Sequence, residues 1–121
     1  MYAIVDLETT GGSAVRSRIT EVAVIIHDGE KEITEYQSLI NPGREIPTNI
    51  SRLTGITNQM VEAAPSFAEV ADRIDELTKD YIFVAHNVNF DYGFLRESFQ
   101  RLGQSFRRRK LCTVRLSRKI L

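Results

Sequence analysis

Three β-rich runs fall within the first forty residues: Tyr2 to Leu7, Ile19 to His27 and Glu32 to Ile40. The second and third flank Asp28-Gly29, a turn pair that predicts a tight antiparallel hairpin. The first is a short apolar run with a carboxylate at its far end, the pattern of a central strand. From Asn41 onward the pattern changes to helices alternating with short strands. Asn41 to Thr57 is a Pro/Gly/Thr-rich connection holding a short helix that Gly55 ends, and a second short helix follows Thr57. Ser66 and Glu69 form a capping box behind Pro65, and Phe67, Val70, Ala71, Ile74 and Leu77 continue it as one apolar stripe. Tyr81 to Ala85 reads as a buried strand. Asn89 is placed to cap the next helix, whose apolar face is Phe90, Phe94, Phe99 and Leu102, with Gly103 ending it. Leu111 to Val114 is a fifth strand, and a last helix starts near Thr113 or Val114. Such an order predicts an α/β sandwich built on a mixed sheet.

The chain of 121 residues is one domain by size, and 42% hydrophobic with 26% charged residues excludes a disordered chain. Its longest apolar run, Val22 to Ile26, is too short to cross a bilayer, so no membrane partner is expected. The N-terminus lacks the basic segment of a signal peptide, and the lone Cys112 has no internal disulfide partner. A cytoplasmic protein is therefore expected. The last helix, with Leu116, Ile120 and Leu121 apolar, has no stop signal, which predicts that residues 1–121 are a single domain incomplete at its C-terminus. Zero net charge hides an asymmetry. Residues 1–95 carry 7 Lys/Arg and 15 Asp/Glu, a net of −8, whereas residues 96–121 carry 9 and 1, a net of +8. Such a division suits a polyanion held beside a cation-binding carboxylate site, or simply a solvated basic face.

The chemistry concentrates in two segments. Asp6 and Glu8, two apart on an extended chain, project from the same face. Asp6 ends a strand that otherwise reads as core, where a carboxylate is costly unless paired or bound to metal. Oxygen ligands at this spacing suit Mg²⁺ or Mn²⁺. A D-x-E pair taken alone is a common surface feature of strand ends. Asp91 falls in the first turn of the helix after a buried strand, where the helix dipole favours its ionised form. If the first and fourth strands are parallel neighbours, Asp91 meets Asp6 and Glu8 at one sheet edge, and three carboxylates together are hard to explain without a metal.

These motifs resemble those of the DEDD exonucleases of ribonuclease-H-like fold, in particular the proofreading (epsilon) subunits of bacterial DNA polymerase III. The matching residues are Asp6-Leu7-Glu8-Thr9-Thr10-Gly11, then Ala85-His86-Asn87 and Asn89-Phe90-Asp91, with Leu53-Thr54-Gly55-Ile56-Thr57 and Ala64-Pro65-Ser66-Phe67 between them. The resemblance implies a three-layer fold, its five-stranded mixed sheet ordered 3-2-1-4-5 and flanked by helices. It also implies two-metal hydrolysis of nucleotides from a DNA or RNA 3′ end, by proofreading or repair, with polymerase subunits as partners. Asp6 would bridge two Mg²⁺ or Mn²⁺ ions, and Glu8 and Asp91 would complete the catalytic metal ligands. Leu7, Thr9, Thr10, His86, Asn87 and Phe90 would line the single-stranded substrate, although Leu7 and Phe90 read more readily as core.

One departure matters. The family's third motif, a histidine base and a fourth carboxylate after the fifth strand, has no residues here, so this piece is expected to be inactive or weak. A non-catalytic module binding nucleic acid or a partner is the alternative from another class. Arg107-Arg108-Arg109-Lys110 reads evenly as phosphate contacts or as a solvated guard beside the fifth strand. Cys112 reads as a small buried hydrophobe.

Overall fold

A computed structural model describes residues 1–112 of the chain. Five strands, β1 (Tyr2–Thr9), β2 (Ile19–His27), β3 (Glu32–Leu39), β4 (Ile82–Ala85) and β5 (Lys110–Cys112), form one sheet. Its order is β3-β2-β1-β4-β5, the predicted order. β2 runs antiparallel to β1 and β3, whereas β4 lies parallel to both β1 and β5. The helices are α1 (Thr48–Thr54), α2 (Asn58–Glu62), α3 (Phe67–Thr78) and α4 (Val88–Arg101). The helix predicted from Thr113 or Val114 lies outside the described residues. No helix among those described is long and apolar enough to cross a membrane.

Local chemistry explains most boundaries. Gly55 ends α1 in the left-handed region at φ 78°, as its missing Cβ permits. The Thr57 hydroxyl caps α2 by accepting from the Met60 N–H. Both halves of the Ser66/Glu69 capping box form at the start of α3. The hairpin turn spans Asp28 to Lys31, where the Asp28 carboxylate accepts from the Glu30 and Lys31 N–H groups, and a register shift follows Ile26. Two expectations are corrected. Asn87, not Asn89, precedes α4, and it makes no side-chain cap. Leu102 is exposed beyond the helix end, and Tyr92 and Leu95 take its place in the core.

Alternation along β1 places Ala3, Val5, Leu7 and Thr9 inward, with Asp6 on the other face and exposed. The inward face packs beneath α3 and α4, where Ile74, Phe83, Phe94, Leu95 and Phe99 are almost fully buried. Phe99 stacks on Phe106, their ring centroids 4.8 Å apart. A second small cluster of Ile46, Ile56 and Val61 holds α1 and α2.

Candidate metal-dependent active site

The site grows from the end of β1. Asp6 and Glu8 share the sheet face opposite α3 and α4, as the period of two dictates. Asp6 is exposed, so the burial cost that the sequence suggested for it does not arise. That cost falls instead on Asp91, 6% exposed in the first turn of α4. β4 lies parallel to β1, with Ile4 opposite Val84, and this brings the start of α4 to the edge that carries the β1 carboxylates. Burial, then Asp6, then Glu8 push the Asp91 carboxyl up to about 7. Glu8 is also raised, by burial first and then by Asp6 and Glu21.

Glu21 is the residue that sequence reasoning missed. The β1/β2 register places it directly opposite Glu8, a like-charge pair that costs free energy in an antiparallel ladder. Gln37 on β3 donates to the Glu21 carboxylate at 3.2 Å. The hairpin itself was legible, but only the register across β1 reveals the pair.

Among the described residues, no three His, Cys, Asp or Glu side chains are gathered closely enough to form a ready-made metal cage. The donors that lie within electrostatic reach are all carboxylates, and their mutual repulsion is the term a divalent cation removes. Such an all-oxygen donor set suits a hard cation rather than a soft one.

The remaining predicted residues divide into two groups. Thr9 and Thr10 are buried and shape the chain just past the carboxylates: the Thr9 hydroxyl donates to the Gly11 carbonyl at 2.7 Å, and Thr10 exchanges hydrogen bonds with Arg18. His86 and Asn87 are exposed at the β4–α4 junction, where a ligand can reach them. Leu7 lies within the main core, and Phe90 packs at its edge against Phe94. Both side chains serve as packing groups. Cys112 is half-buried and donates to the His86 carbonyl at 3.0 Å, joining β5 to this junction.

The family model for exonucleases named RNase_T matches residues 3–121, and the chain belongs to that family. It is similar to the 3′–5′ exonuclease DinG of Staphylococcus epidermidis, 38% identical over 110 residues, covering 91% of this chain and 12% of that protein. A Mycobacterium tuberculosis protein whose name pairs an exonuclease with an endonuclease is 39% identical over 127 residues, covering 99% of this chain and 20% of that one. The chain therefore spans a fifth or less of the length of these relatives. A structure of exonuclease X with 5′-overhanging duplex DNA superposes with a TM-score of 0.75 at 27% identity, over 99% of this chain and 64% of that chain. E. coli exonuclease I with a dT13 oligonucleotide, at 22% identity, shares the fold with a TM-score of 0.86 over 98% of this chain and 29% of its own. The ribonuclease-H-like architecture implied by the sequence motifs is the architecture of these neighbours.

Proposed function

We propose that this domain is a divalent-metal-dependent 3′–5′ exonuclease that removes nucleotides from single-stranded DNA 3′ ends in repair or proofreading. The observation that carries the reading is the convergence of a buried Asp91 on Asp6 and Glu8. Asp6, Glu8 and Asp91 would hold the ions. When bound, Mg²⁺ or Mn²⁺ would activate the attacking water and offset charge on the leaving oxygen. The exposed His86 and Asn87, with the backbone after Glu8, flank the space where a terminal nucleotide would lie. The DinG-named relatives support the polarity, and the DNA-bound neighbours favour DNA over RNA. Work beside a polymerase subunit is the extension that the epsilon-type resemblance adds.

Residues 92–121 contain one acidic residue, Glu97, and no histidine. With no histidine after Asp91 to serve as a base, slow cleavage is expected from residues 1–121 assayed by themselves. The test is digestion of a 5′-labelled single-stranded DNA, with a matched RNA, in Mg²⁺ or Mn²⁺. A metal-dependent ladder shortening from the 3′ end, faster on DNA and abolished by Asp6→Ala, is expected. A ladder that survives Asp6→Ala removes the site from the reaction. Complete inertness together with metal-independent DNA binding favours the non-catalytic reading.

A further inference from the structure

A cavity of about 230 Å³ lies where the start of α3 and the end of α4 meet the start of β2. Ile19, Ile40 and Phe67 give it an apolar wall, and Arg18 and Arg101 supply its cationic side. Each arginine is anchored by one nitrogen only. Arg18 Nη1 donates to the Val15 and Ser17 carbonyls, and Arg101 Nη2 to those of Ala14 and Val15. Their other guanidinium N–H groups have no acceptor among the described residues, where the one ion pair is Arg108 with Asp75. A third arginine, Arg44, is tied to the Arg16 carbonyl nearby. Burial, then the neighbouring Arg101 and Arg44, draw the Arg18 guanidinium below its usual range. Three like charges are thus held near loop carbonyls, and among the described residues none of them forms an ion pair with a carboxylate.

We propose that this pocket holds a backbone phosphate of the single strand whose 3′ end lies at the carboxylates, with the attached sugar against the apolar wall. Guanidinium N–H pairs match phosphate oxygens in number and plane, and an apolar wall suits the ribose better than a free inorganic anion. Position favours a strand over a free nucleotide. Thr10 exchanges hydrogen bonds with Arg18, so Arg18 sits about 13 Å along the β1 direction from Asp6. The pocket opens on the helix side of the sheet, whereas Asp6 and Glu8 occupy the other face, so a strand touching both must pass around the sheet edge. Short oligonucleotides cannot do so. The inference rests on the exonuclease reading for its occupant.

The test measures binding of fluorescent trimer and dodecamer deoxyoligonucleotides to the full chain in EDTA, across a salt series. Arg18→Gln/Arg101→Gln is expected to weaken the dodecamer about tenfold and leave the trimer unchanged. Its salt slope should fall by about 1.4, the value for two charges on a single strand. Arg18→Lys/Arg101→Lys should restore most of the slope, and circular dichroism melting shows that each variant folds. An unchanged dodecamer slope overturns the proposal. So does equal weakening of the trimer, or a lysine variant as impaired as the glutamine one, which would make the arginines supports for the 14–17 loop. Thymidine monophosphate binding lost in the glutamine variant, without any dodecamer effect, overturns the strand in favour of a free nucleotide. Cleavage in Mg²⁺ is scored separately: it bears on the exonuclease reading alone and leaves these binding results standing.

Discussion

A carboxyl group that is 6% exposed and lies within reach of two others carries a cost that depends on pH. Asp91 titrates near 3.8 in the unfolded chain and at about 7 in the folded one. Below both values it is protonated in either state. Between them only the unfolded chain ionises, so metal-free stability falls as pH rises through this window and levels off above about 7, by at most about 4 kcal/mol. Asp91→Asn should remove that fall. Thermal melts in EDTA at pH 5 and pH 8 check it: the variant should gain several degrees over the parent at pH 8 and less than half as much at pH 5. An equal gain at both pH values would mean that the carboxyl is not the titrating group. Asp6 offers a contrast at the same scale. Because it is exposed, Asp6→Ala should leave the metal-free melting temperature nearly unchanged while removing metal-dependent cleavage.

Among the elements, the segment leading into β5 does something its basic run concealed. Arg108 is 9% exposed, pairs with Asp75 at 2.6 Å and donates to the Asp75 and Thr78 carbonyls at the C-terminal end of α3. Its guanidinium also lies 4.2 Å from the Phe106 ring centroid. It therefore ties α3 to the start of β5 and satisfies carbonyls that the helix end leaves open. Lys110 lies over the Tyr92 ring, and Arg107 and Arg109 remain exposed. Neither sequence reading of the run, phosphate contact or edge guard, describes Arg108. Arg108→Ala should cost about 2 kcal/mol, because it leaves helix carbonyls unpaired and the Phe106 ring uncovered, whereas Arg109→Ala should stay within about 0.5 kcal/mol. Urea midpoints of the two variants decide; equal shifts would reject the tie. Neutralising all four basic residues at once would confuse folding with nucleic-acid affinity.

At the scale of the whole molecule, the carboxylate edge and the arginine pocket lie on opposite sides of one sheet, joined by the short chain from Thr9 to Ile19. A cation that binds the folded site alone stabilises the fold by mass action, so Mg²⁺ or Mn²⁺ at 100 times its dissociation constant should add about 2.7 kcal/mol. Melting curves with increasing Mn²⁺ at pH 8 should rise for the parent chain and stay flat for Asp6→Ala; a rise in both would place the metal elsewhere. By itself the sequence determined the five strands and four helices described, the Gly55 and Ser66/Glu69 caps and the shared face of Asp6 and Glu8, because periodicity and capping act over a few residues. The family resemblance added the sheet order. Only the tertiary structure decided that Asp91 rather than Asp6 bears the burial, that Glu21 faces Glu8, that Leu102 is exposed, and that Arg18, Arg44 and Arg101 gather. Burial and Coulomb energies depend on distances between segments far apart in the chain, and those distances exist only once the sheet and its helices have packed.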